Sequence, residues 1–134
     1  ISKDFGEDFI ITMAPLGYSL ENDIPGMGGF CYKDLYNTEE GQRINWFNGQ
    51  FYGSYTEDSY NNAINNGYPA SKIVFGMTSS QFNSDNFDKA CNRVNNLSNK
   101  YDSFSGVFDW EYCDAPPDKN NSATWALKMS ESML

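Results

Sequence analysis

Apolar residues gather along the chain in four short runs, at residues 8–14 (DFIITMA), 44–52 (INWFNGQFY), 72–77 (KIVFGM) and 104–112 (FSGVFDWEY). Each has the length of a strand and is rich in β-branched or aromatic residues. The segments between them are long enough for helices. Residues 57–66 predict a helix stopped by Asn66-Gly67 and then Pro69. In residues 84–100, Phe87, Ala90, Cys91, Val94 and Leu97 form one apolar stripe at helical spacing behind a candidate cap at Asp85, and its ordinary role is core packing. Residues 122–134 read as a terminal helix. The connection at residues 16–42 breaks the rhythm, being rich in Gly and Pro, and predicts at most a short helix around residues 32–36 or 39–43. Strand alternating with helix predicts parallel α/β units, and burial of both sheet faces explains continuous apolar runs where a one-sided sheet would alternate. Long connections after a strand are where α/β enzymes keep binding residues.

Composition narrows the partners. The 134 residues fit one domain, and no linker or internal repeat divides them. Nine basic against eighteen acidic residues, a formal charge of -9, exclude nucleic acid, whose phosphates need a basic footprint. Ten Phe, nine Tyr and three Trp suit a neutral polar ligand such as a carbohydrate, though they also suit any secreted protein. The lack of His removes Ser-His-Asp and Cys-His nucleophile pairs and most catalytic zinc sites. Acid-base chemistry is left to carboxylates. Cys31, Cys91 and Cys113 are far apart and form no CxxC, so no metal site is expected and one disulfide with a free thiol is compatible. The sequons at Asn96 and Asn120 point to a secreted or extracellular protein, whose leader would lie outside these residues. No run has the apolar length of a membrane span, and no membrane partner is expected.

The fourth run carries the most pointed chemistry. Asp109 and Glu111 stand two apart, and on a strand such side chains share a face, so the two carboxylates would push each other's pKa apart as a general acid requires. The plainer reading is a buried strand whose end carries polar groups.

Taken together, INWFNGQFYG, then YNNAINNGYPASKIVFGM, then FSGVFDWEYCDAPP and ATWALKM resemble the C-terminal half of glycoside hydrolase family 18, from Phe9 to Met129. Within the family the likeness is to the fungal endo-β-N-acetylglucosaminidases, and more distantly to class III chitinases. The resemblance implies an α/β chain forming strands five to eight of a TIM (β/α)8 barrel, a single partial domain over residues 1–134. MAP at residues 13–15 would end strand five, QFY strand six, VFGM strand seven and VFDWEY strand eight. The family's acid sits in a DxxDxDxE motif on strand four, which these residues do not contain. FDWEY also resembles the DIDWEY ending of some fourth strands. The upstream aspartates are missing, however, and the strand-six-like QFY comes before it where it should follow. Strand eight of the fungal type usually has a small residue at the position of Asp109, so this position departs from the pattern.

Family 18 hydrolysis uses the substrate's own N-acetyl oxygen as nucleophile, outside the two-carboxylate scheme. By resemblance, Tyr52 would donate its hydroxyl to that oxygen as a catalytic residue. Gln50 would point into the barrel mouth, Trp110 would floor the cleavage subsite, Glu111 would bond a sugar hydroxyl or close a network, and Met13 would line the wall. Trp46 and Asn48 read as packing residues. The implied activity is hydrolysis of N-acetylglucosamine-containing glycans, with the chitobiose core of N-glycans as substrate and no cofactor. A barrel needs roughly 250 residues and eight strands, so the implied partners are a glycan and either an N-terminal barrel half or a second copy. The alternatives are a non-catalytic carbohydrate-binding protein, a chitin-hydrolysing fragment, or an enzyme in which Glu111 is the acid.

Overall fold

The computed structural model describes residues 1–134, the side chain of Ser2 excepted. A single turn of helix, α1 (Ser2–Phe5), precedes β1 (Thr12–Met13). Two short helices, α2 (Gly17–Glu21) and α3 (Tyr32–Tyr36), and a 3-10 turn at Gly41–Arg43 then lead to β2 (Trp46–Gln50). Helix α4 (Glu57–Asn65), β3 (Ile73–Thr78), α5 (Phe87–Lys100), β4 (Val107–Trp110) and α6 (Ala123–Ser132) complete the order. All strand pairs are parallel, in the order β1-β2-β3-β4, so each strand lies beside its neighbour in sequence.

The apolar runs locate the strands, but the strands are shorter than the runs. Strand β1 keeps two residues because only Thr12 and Met13 of this run pair with β2, and Phe9 and Ile10 before it are 45% and 58% exposed. The fourth run loses its first three residues, since Gly106 turns there with φ +120°. Helix α4 begins where the Thr56 side chain accepts a bond from the Ser59 amide at 3.2 Å, with Glu57 and Asp58 favourable in its first turn. It ends at Asn66 before Gly67, whose φ of +110° is open to glycine at little cost. Helix α5 starts at Phe87, later than the cap expected at Asp85, because Asn86 precedes it and accepts from the Asn83 amide at 2.7 Å. The long connection, expected to hold at most one short helix, holds α2, α3 and the 3-10 turn; Leu20 of α2 is fully buried in the core.

Register divides the sheet into two faces. Phe47, Ile73, Phe75 and Met77 face the helices, meeting Leu20, Tyr60, Ala63, Phe87, Ala90, Val94 and Leu97 in one buried cluster. Tyr55 stacks on Phe75 with centroids 3.7 Å apart, and Phe51 meets the same ring at 5.0 Å. The opposite face, with Trp46, Asn48, Gln50, Val74, Thr78, Phe108 and Trp110, is half-buried to exposed and carries no helix. Its two edge strands each pair on one side only. No helix among the described residues is long and apolar enough to cross a membrane.

Candidate functional site

The C-terminal ends of the strands collect the polar and aromatic groups. Gln50 closes β2, and its Nε2 donates to the Ala14 carbonyl at 2.5 Å, tying the ends of β1 and β2 together. Phe51 then turns into the core, fully buried, while Tyr52 comes out half-buried on the uncovered side. The Tyr52 ring meets Phe108 edge-on with centroids 6.4 Å apart. Phe108 lies over Gly76, its register partner in β3, where any Cβ would run into the ring. Two positions on and on the same face, Trp110 ends β4 with 63% of its surface exposed. Tyr52, Gln50 and Trp110 are thereby brought to one end of the sheet. Below them, Trp46 donates its indole N–H to Asn48 Oδ1 at 3.1 Å.

Asp109 points the other way, toward the helices. The Ser79 hydroxyl lies 2.7 Å from its Oδ2 and 2.8 Å from the Glu111 carbonyl oxygen. Asp109 Oδ1 is buried with no partner among the described residues, as is the hydroxyl of Tyr55, a residue 1% exposed. Burial pushes the Asp109 carboxyl up to about 6, against the pull of the Ser79 hydroxyl and the Trp110 backbone. Burial, and then the nearby Asp109, hold the Tyr52 phenol above its ordinary value. Burial does the same more strongly to Tyr55, with Cys91 and Asp109 adding to it and Arg93 opposing. Arg93 itself donates to the Tyr55 carbonyl at 2.5 Å.

A cleft of about 310 Å³ opens beside Trp110, lined by Thr78, Ser79, Ser80, Glu111 and Asp114. Larger grooves lie away from the strand ends, one of about 670 Å³ between Phe30, Leu35 and Asp34 in the long connection.

The sheet separates some residues that sequence spacing placed together. Asp109 and Glu111 do not share a pocket: β4 ends at Trp110, and the Glu111 side chain is exposed. Only the Glu111 backbone reaches the Ser79–Asp109 contact, while its carboxylate comes within 4.8 Å of the ligand atoms of Cys113 and Asp114 at the surface. All three residues of that cluster are exposed. Met13 does not stand with Gln50 on the open face; it pairs with Phe47 and packs against the core, so Thr12 takes the outward position. Trp46 and Asn48, read as packing residues, lie half-buried on the open face. Cys31, Cys91 and Cys113 are all unpaired, so the disulfide that the count allowed does not form.

Two residues of the site had no signal in the sequence. Ser79 sits in the 3-10 turn Ser79–Gln81 after β3, 30 residues from Asp109, and no short-range pattern joins them. Phe108 reads as one more apolar strand residue until its ring is seen between Gly76 and Tyr52. The signal that could have drawn attention to this corner was Asp109 itself, a carboxylate in an apolar run.

Comparison with solved structures finds two related enzymes. A fungal endo-β-N-acetylglucosaminidase from glycosyl hydrolase family 18 matches 98% of this chain with a TM-score of 0.84 and 29% identity. The chitinase ChiC from Aspergillus fumigatus matches 99% with a TM-score of 0.74 and 28% identity. The chain spans about half the length of each, 48% and 50% respectively. No protein-family model and no curated protein sequence matches it.

The chain is similar to the family 18 glycosidases, among them a fungal endo-β-N-acetylglucosaminidase, and its parallel α/β sheet corresponds to about half of their TIM barrel.

Proposed function

We propose that the chain is the sugar-binding half, strands five to eight, of a family-18-like glycosidase that cleaves N-acetylglucosamine-containing glycans at the chitobiose core of N-glycans. The observation that carries this is the convergence of Tyr52 and Trp110 at one end of the sheet, in a fold shared with such enzymes. The unpaired edges of β1 and β4 and the helix-free face fit completion by an N-terminal half bearing the acid. An acetamido sugar seated on the exposed Trp110 ring would find the Tyr52 hydroxyl, its pKa raised chiefly by burial, as a donor to its N-acetyl oxygen. Gln50 would brace the strand end beneath it and Glu111, at the rim of the Trp110 cleft, would accept from a sugar hydroxyl. The N-acetyl oxygen attacks the anomeric carbon, the glycosidic bond breaks as the acid of the partner half protonates the leaving oxygen, and water opens the oxazolinium intermediate with retention.

The test is to incubate the purified chain with a chitobiose-core glycoprotein, alone and together with a family 18 N-terminal half. Cleavage in the mixture only is expected, with a loss of about 10²-fold in Tyr52→Phe. Full activity of that variant would refute the assignment. A second reading, a carbohydrate-binding protein without hydrolysis, is favoured by the exposed Trp110 ring, on which a sugar can stack without any acid. It predicts retention on a chitin column, abolished by Trp110→Ala, with no cleavage in any mixture.

A further inference from the structure

Ser79 makes two contacts, and its single proton can donate fully to only one of them at a time. Its oxygen is 2.7 Å from Asp109 Oδ2 and 2.8 Å from the Glu111 carbonyl, both of hydrogen-bond length between oxygens. A hydroxyl donates once, and neither a carboxylate nor a carbonyl can donate back. The proton count balances when Asp109 is neutral: its Oδ2–H donates to Ser79 Oγ, and the Ser79 O–H donates to the Glu111 carbonyl. When Asp109 is ionised, the Ser79 O–H turns to its Oδ2, which is the pull that the hydroxyl exerts on the carboxyl, and the Glu111 carbonyl loses that donor, while the buried Oδ1 has none among the described residues. The two residues held by Ser79 flank Trp110, so the tether holds the Asp109 side chain before the exposed ring and the Glu111 backbone after it.

We propose that Asp109 is a positioning residue whose neutral form, acting through Ser79, ties the end of β3 to the end of β4 and sets the orientation of Trp110. The group facing Asp109 is the Ser79 hydroxyl from the turn after β3, and the phenols of Tyr52 and Tyr55, from the segment after β2, lie near enough to feel its charge. Cys91 and Arg93 of α5 stand behind Tyr55. No lysine or arginine pairs with Asp109 among the described residues, and with burial holding its carboxyl at about 6 the tether loosens through mildly acidic pH. The consequence for sugar binding rests on the glycan reading given above; the tether itself does not.

The experiment is a pH titration of the full chain by NMR, following the three tryptophan indole N–H signals, with that of Trp110 assigned through Trp110→Phe. The Trp110 signal moves with a midpoint near pH 6 in the native protein. It stays in its low-pH position in Asp109→Asn, whose amide donates to Ser79 at every pH. In Ser79→Ala it no longer follows Asp109. In parallel, affinity for diacetylchitobiose falls about fivefold from pH 5 to pH 7 in the native chain, the worth of one lost hydrogen bond, and is flat in Asp109→Asn. A Trp110 signal that ignores pH, or that titrates equally in Asp109→Asn, overturns the proposal. A Trp110 signal that titrates as expected while diacetylchitobiose binds at no pH upholds the tether and sinks the glycan reading instead.

Discussion

Replacing Asp109 by Asn should change how folding stability depends on pH, and both size and sign follow from the surroundings of the carboxyl. Its pKa stands at about 6 in the folded chain against an ordinary 3.8, because burial disfavours the charge. Two units correspond to a ceiling of about 3 kcal/mol. Asp109 is only half-buried, and solvent screening reduces this to about 1–2 kcal/mol. The folded state holds the proton more tightly than the unfolded one, so this contribution is fully present below about pH 4 and is lost as pH rises through about 6. Urea denaturation of the native chain and of Asp109→Asn, measured from pH 4 to pH 7.5 with the slope compared at each point, isolates the effect, since the other carboxylates titrate alike in both proteins. The variant should gain about 1–2 kcal/mol relative to the native chain between the ends of this range. A difference that stays constant with pH, or one that grows in favour of the native chain, would show that Asp109 is not carried neutral by the fold.

Three further outcomes are expected. Tyr55→Phe removes a buried hydroxyl without a partner and keeps the ring on Phe75, so the urea midpoint should rise by the equivalent of about 1 kcal/mol; a loss of that size would mean the hydroxyl is bonded. Gly76→Ala drives a methyl group into the Phe108 ring and toward the Gly49 carbonyl, costing about 1–3 kcal/mol in thermal or chemical unfolding and lowering retention on chitin by displacing the ring beneath Tyr52. Thr56→Ala removes the side-chain cap of α4 and should cost about 1 kcal/mol, with glycan binding unchanged because α4 lies on the far side of the sheet.

Much of the fold was legible because local chemistry and tertiary demand agree. The stripe of Phe87, Ala90, Val94 and Leu97 buries as its spacing requires, and Asn66-Gly67 ends α4 because Gly67 adopts a positive φ. The apolar run at residues 8–14 overstated its strand, since an apolar stretch records a tendency and a strand needs a partner along its length. The short helix α2 escaped notice because five residues make too little periodicity to recognise, and burial of Leu20 holds it in place.

The order of strands and helices, the faces of the longer helices, the acidic surface and the likeness to family 18 were all determined by the sequence, because each depends on residues near one another in the chain or on patterns read in order. The tertiary structure alone decided that Met13 turns to the core, that Glu111 leaves the strand for solvent, and that Ser79 meets Asp109 across 30 residues. Those outcomes depend on register and on where a strand ends. Packing against distant segments sets both, and no local pattern records them.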